Sequence, residues 1–109
     1  MTAVHFIERT DNVRKIDSQK NEWESGFWAL TEEVAQKLVG ATLYLHRSKH
    51  QPSHFGGRIL SYRIEQTGAS IGCVVFTIRA AVDCKDVKTE GKGWAKDHKI
   101  FWDTSEAAA

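Results

Sequence analysis

The stretch Thr31-Glu32-Glu33-Val34-Ala35-Gln36-Lys37-Leu38-Val39-Gly40-Ala41-Thr42-Leu43-Tyr44-Leu45-His46 decides how this chain folds. Its first half reads as a short helix over residues 32–39. Thr31 offers a hydroxyl to cap the N-terminus, and Glu32 and Glu33 put negative charge in the first turn, where the helix dipole favours it. Val34 with Leu38, and Ala35 with Val39, recur at i, i+4 and give one apolar face. Gly40 stands where a left-handed residue ends a helix. Beyond it the period drops to two. Leu43 and Leu45 alternate with Thr42, Tyr44 and His46, as in a half-buried strand.

Toward the C-terminus a turn follows at Lys49-His50-Gln51-Pro52, closed by Gly56-Gly57. Arg58 to Ile64 is a strand with Leu60, Tyr62 and Ile64 on one face, and Gln66-Thr67-Gly68-Ala69 turns the chain again. Gly72 to Arg79 is a third strand, with Val74, Phe76 and Ile78 inward. Residues 83–99 are polar and Lys-rich, and Lys99-Ile100-Phe101-Trp102 forms a last strand. Toward the N-terminus, Val4 to Ile7 is a short strand. Residues 9–25 read as a long loop with a strand fragment at Val13 to Ile16. Gly26 to Leu30 is a strand running into the helix. Cys73 sits in an apolar strand and is expected to be buried; Cys84, between Asp83 and Lys85, is expected to be exposed. Strand-like surroundings put Trp28 and Trp102 in the core. Several antiparallel strands with one short helix predict an α+β, mostly β fold, a small antiparallel barrel with a helical plug, in a single domain over residues 1–106. Residues 107–109, all alanine, are set aside as a tail, frayed or left from cloning.

Composition agrees with one ordinary globular domain: 109 residues, 41% hydrophobic and 27% charged. These values exclude a disordered chain and a fibrous repeat. Apolar runs such as Cys73 to Phe76 are too short to cross a bilayer, so no membrane partner is expected. The N-terminus has no basic head and no cleavable apolar core, which predicts a cytoplasmic protein. Two cysteines argue against a disulfide framework. The net charge of +1 points to no partner in bulk, so a case for nucleic acid rests on where the charges sit.

They sit unevenly. Ala41 to Ile64 contains no Asp or Glu, yet carries Arg47, Lys49, Arg58 and Arg63, with His46, His50 and His54 between them. Cations on one face hold phosphates, and aromatic neighbours such as Tyr44, Phe55 and Tyr62 stack on bases. A solvated hairpin with ordinary surface cations would carry the same residues. Four Trp in so short a chain is a surplus. Trp23 and Trp94 lie in polar or glycine-rich surroundings, where an exposed indole stacks on a base or closes a pocket over one; filling a limited core is the alternative use. The three His at intervals of four would line a helix and hold a metal, but Pro52 and Gly56-Gly57 break any helix there. No glycine loop cradles a nucleotide phosphate and no nucleophile elbow occurs. No cofactor and no metal are therefore expected.

The run Ala35 to Ser48, followed by Pro52 and by Phe55-Gly56-Gly57-Arg58-Ile59, resembles the PUA-like superfamily, with its closest echoes in the EVE and ASCH domains. The resemblance covers residues 31–65. It implies a small, mostly antiparallel barrel that binds RNA or DNA, sometimes a modified base, in an aromatic-lined pocket between barrel and helix. On this resemblance Val39 and Gly40 form the structural turn, Tyr44, His46 and Ser48 lie near the pocket, and Gly57 begins the return strand. The chain departs from the EVE pattern in two places. The Trp-x-Gly-Val/Ile-Arg segment before the helix is reduced to Trp23-Glu24-Ser25-Gly26-Phe27, and His46 is offset by one residue. The resulting expectation is a non-catalytic nucleic-acid-binding module. Its site residues would be Arg47, Lys49, Arg58 and Arg63 for phosphates and Tyr44, His46, Ser48, Trp23 and Trp94 around a flipped base. The alternatives are a protein-interaction module or homodimer anchored by Trp and Tyr, and a small ASCH-like hydrolase for which no catalytic set assembles.

Overall fold

The computed structural model describes residues 2–8, 12–89 and 92–102; the alanine tail lies outside them. The chain is mostly β with one short helix. Its strands are β1 (Ala3–Ile7), β2 (Val13–Asp17), β3 (Glu22–Trp28), β4 (Thr42–His46), β5 (Ser53–Ile64), β6 (Val74–Ala80) and β7 (His98–Phe101), with α1 (Glu32–Leu38) between β3 and β4. They form one seven-stranded sheet in the order β2-β3-β6-β5-β4-β1-β7.

The local signals in the deciding stretch act as physical chemistry requires. The Thr31 hydroxyl accepts the Val34 N–H at 3.2 Å. Ala35 and Leu38 are buried, and Gly40 takes φ +91°. Val39 caps the helix and stays exposed, so the apolar face is narrower than the spacing predicts. The helix docks on β5, where Tyr62 Oη donates to Glu32 Oε2 at 2.8 Å.

The sheet departs from the expected one in three ways. It is mixed, because β1 lies parallel to β4 while every other pairing is antiparallel. It is also not closed: among the described residues no ladder joins β2 to β7. And the stretch 9–25, read as a loop with a strand fragment at Val13 to Ile16, holds that fragment as β2 and also the start of β3, joined by a tight turn in which Asp17 Oδ1 accepts the Gln19 and Lys20 N–H groups. A strand at the edge of a sheet needs no apolar face, and β2 is exposed along its centre, so its sequence gives only a fragmentary strand signal.

Glycines 56 and 57 close no turn. They lie inside β5, opposite Tyr44 and Leu43, where neighbouring backbone comes too close for a Cβ. A bulge between Ile59 and Ser61 then shifts the phase of β5. Ile59 takes the buried position before the bulge, and Tyr62 and Ile64 face the core after it. Similar irregularities interrupt β2, β3 and β4. Bulges sharpen twist, which lets the sheet coil around its own core. The consequence is a contact between strands that are not neighbours: the rings of Phe6 on β1 and Trp28 on β3 stack with centroids 4.0 Å apart.

Candidate functional site

The coil leaves a seam where β1 and β7 approach β3 without pairing. A cleft of about 320 Å³ opens there. Phe27 supplies its accessible aromatic surface, backed by the buried Phe6 and Trp28, and Glu8, Asn12, Lys96, Asp97 and His98 are its polar residues. Trp28 Nε1 donates to Ser25 Oγ at 3.2 Å, which fixes the indole plane. Backbone bonds hold the polar groups. The Ile7 N–H donates to the Asp97 carbonyl and the Glu8 N–H to the His46 carbonyl, each at 2.8 Å. The Asn12 N–H reaches Glu8 Oε1 at 3.3 Å, and the Asn12 carbonyl accepts the Gly26 N–H at 3.1 Å. Glu8, following the last residue of β1, is 4% exposed. The Gly26–Phe27 peptide is cis.

A second groove, about 330 Å³, shares Asn12, Gly26 and Phe27 with the cleft and continues past Arg14 and Arg63. Glu24 lies between these two cations, 2.7 Å from Arg14 and 3.2 Å from Arg63. Burial pushes its carboxyl up, but the hydrogen bonds and charges of Arg63 and Arg14 outweigh that and hold it below the usual range.

The residues around His46 lie on the opposite face of β1 and β4. Alternation turns Val4 and Phe6 inward and His5 outward, where it stacks on Tyr44 at 4.6 Å. His46 is fully buried. Its Nδ1 lies 2.9 Å from the Gln51 carbonyl, which only accepts, so Nδ1 carries the proton and Nε2 accepts from His5 Nδ1 at 2.7 Å. Burial first, then His46 and Lys99, lowers the His5 pKa to about 4. Burial also lowers His46, partly offset by its bond to Gln51. Trp94 meets both imidazoles edge-on. Its buried indole N–H has no hydrogen-bond acceptor among the described residues.

Tyr44, His46 and Trp94 thus come together, as one cluster away from the seam. Trp23 does not join them. It packs edge-on against Phe55 at 5.0 Å, with Lys15 Nζ over its ring. Arg47, Ser48 and Lys49 follow β4, whereas Arg58 and Arg63 lie along β5, roughly 16 Å of strand apart. Arg63 is held by Glu24 and Glu65. The acid-free stretch of sequence acquires acids in space, because Glu24 on β3, one strand beyond β6, and Glu65 just past β5 both reach Arg63. His50 lies in the turn after β4 and His54 on β5, apart from any helix. Among the described residues no group of three or more His, Cys, Asp or Glu is placed to hold a metal.

Two side chains reverse expectation. Cys84 is 4% exposed, tucked against the glycine gap at position 56, because the short helical turn Val82–Cys84 folds it inward. Burial, then Asp83, pushes its thiol up, which removes it as a nucleophile. Trp102 lies just past the edge strand β7 and is 44% exposed rather than part of the core.

Compared with protein-family models, curated proteins and solved structures, the chain finds no match. The assignment of a function therefore rests on the site. Sequence reasoning missed the cleft residues Glu8, Asn12, Phe27 and Asp97. They come from separate segments, and only the strand order and the coil of the sheet bring them to one seam. His5 was missed as well; strand alternation would have found it, as the polar residue between Val4 and Phe6.

Proposed function

We propose that the chain is a non-catalytic nucleic-acid-binding domain of PUA-like type, and that the seam cleft receives an unpaired base. The observation that carries this reading is the cleft itself. Its accessible aromatic surface is Phe27, backed by the buried Phe6 and Trp28, with polar groups beside it, at a volume suited to one small planar ligand. Stacking binds any base through its π-face, and polar groups at the edge select among bases. The adjoining groove extends from Phe27 past Arg14 and Arg63, which gives a backbone two cations to follow once Glu24 and Glu65 yield them. The mostly β architecture with α1 between β3 and β4, and the resemblance over residues 31–65, support the same reading. The Cys84 thiol, buried and pushed up, is unsuited to act as a nucleophile.

The test is binding of fluorescein-labelled single-stranded DNA and RNA at two salt concentrations, with wild type and Phe27→Ala. Affinity should fall as salt rises, and Phe27→Ala should weaken it by about fivefold or more, the effect of losing one stacking partner. Undetectable binding at low salt, or equal affinity of wild type and variant, overturns the assignment.

A further inference from the structure

Resting on that reading, we infer that the nucleic-acid backbone runs on past the Arg14–Arg63 groove along the outer face of β5 and β6, where Arg58 and Arg79 together seat one phosphate. Arg58 stands directly opposite Arg79 across the β5–β6 ladder, as Ile59 stands opposite Ile78. The two isoleucines are buried in the core, so alternation turns both arginines to the other face. Side chains so opposed have Cβ atoms about 5 Å apart, and like charges at that spacing destabilise a sheet. Nearby acids do not relieve the pair. Glu22, opposite Arg79 on β3, reaches its guanidinium at 3.3 Å, with the Arg79 side chain 57% exposed. Arg58 is exposed and meets no acid among the described residues. Two cations against one carboxylate leave a surplus positive charge at a fixed place on the sheet. A phosphate between the guanidiniums answers it, because each planar fork matches two of its oxygens. An ion pair as exposed as Glu22–Arg79 contributes little, so it yields to that exchange.

The same face joins this pair to the groove. Beyond the bulge in β5, Ser61 and Thr77 form the next outward row, and Arg63 and Val75 the row after that. Ser61 and Thr77 make no side-chain hydrogen bond among the described residues, so both hydroxyls are free to donate to a passing phosphate. Arg63 and Val75 line the groove that continues the cleft. From Val75 to Arg79 is about 13 Å of strand. A chain whose base enters beside Phe27 therefore meets Arg14 and Arg63 first, then the hydroxyl row, then the arginine pair, without crossing an edge of the sheet. These rows present cations and hydroxyls, which hold a backbone and carry no sequence preference.

The experiment measures affinity for one single-stranded oligonucleotide across a salt series. It compares wild type with Arg58→Gln, Arg79→Gln and the double variant. Lys37→Gln removes the same charge from α1, which packs on the core side of β5, and serves as the control. Each arginine variant should weaken low-salt binding by about fivefold. The double variant should lower the slope of log K against log salt by about 0.7, the share of one phosphate on a single strand, because both arginines serve the same phosphate. Lys37→Gln should change neither. Arg58→Gln relieves a like-charge contact, so its urea midpoint should equal or exceed that of wild type, which separates weakened binding from unfolding. Inorganic phosphate added at constant ionic strength should leave wild-type binding in place; displacement that the double variant escapes assigns the seat to free phosphate and overturns the path. Salt-dependent binding that the arginine variants do not weaken, or that Lys37→Gln weakens equally, overturns the phosphate seat and leaves the binding domain standing. A slope change twice as large overturns the shared seat in favour of two separate contacts. A lowered urea midpoint for Arg58→Gln removes the premise that the pair is unrelieved. Absence of binding in wild type overturns the seat and the binding domain together.

Discussion

At the scale of single residues, the least ordinary feature is the imidazole pair buried beneath Trp94. Two neutral histidines share a hydrogen bond because the Gln51 carbonyl dictates the tautomer of His46, which in turn dictates that of His5. Protonating either one places a charge in a buried cluster beside Lys99. The folded pKa of His5 lies at about 4, below the ordinary 6.5, and that of His46 is lowered as well. In that window the unfolded chain binds more protons than the folded one, so stability is fully present above about pH 6.5 and is lost as pH falls toward 4. With partial screening by solvent, the loss from His5 is on the order of 2 kcal/mol. Urea midpoints measured at pH 7.0, 5.5 and 4.5 should decline in step, and His5→Phe should flatten the decline. A midpoint independent of pH across that range would show that the pair is not neutral when folded.

At the scale of elements, the sequence was legible wherever one local rule acted alone. The Thr31 cap, the Gly40 terminus and the period-two runs of β4 and β6 all stand where residue types put them. It was illegible where a distant backbone overrode the local signal. Gly56-Gly57 reads as a turn because glycine most often breaks a strand, yet here it serves close approach within β5. A Cβ at Gly57 would overlap the Arg79 carbonyl and the Ala80 Cα of β6. Gly57→Ala should therefore destabilise the domain by about 1–3 kcal/mol, although alanine is normally as good a strand residue as glycine or better. Chemical denaturation gives the value, and a loss below 0.5 kcal/mol, within the range of ordinary surface substitutions, would mean that β5 and β6 do not approach so closely. β2, read only as a strand fragment within a loop, and the missed cleft residues have related causes. An edge strand has no alternation to read, and a seam has no sequence neighbours.

At the scale of the whole molecule, the site exists because the sheet coils without closing. Phe6 and Trp28 lie on strands four places apart in the sheet, so their stacking, with the Asn12 N–H to Glu8 bond, ties the two ends of the coil together. Strand pairing alone would leave those ends free to splay, and the cleft would widen into open surface. The stack should therefore show energetic coupling that neighbours in a ladder do not require. In a double-mutant cycle of Phe6→Leu and Trp28→Leu, the interaction energy should be about 0.5–1.5 kcal/mol beyond the sum of the single losses. Leucine is chosen because alanine at either site would cost about 3–5 kcal/mol, a large share of a small domain's stability. The same variants connect the fold to its use. Each should weaken oligonucleotide binding by more than its loss of stability explains, because the unfolded fraction stays small while the cleft loses an aromatic surface. Strict additivity in the cycle would separate the two strands and remove the seam. Additivity with undiminished binding would move the base to the His5, Tyr44 and Trp94 face instead, where an indole N–H stands without an acceptor among the described residues.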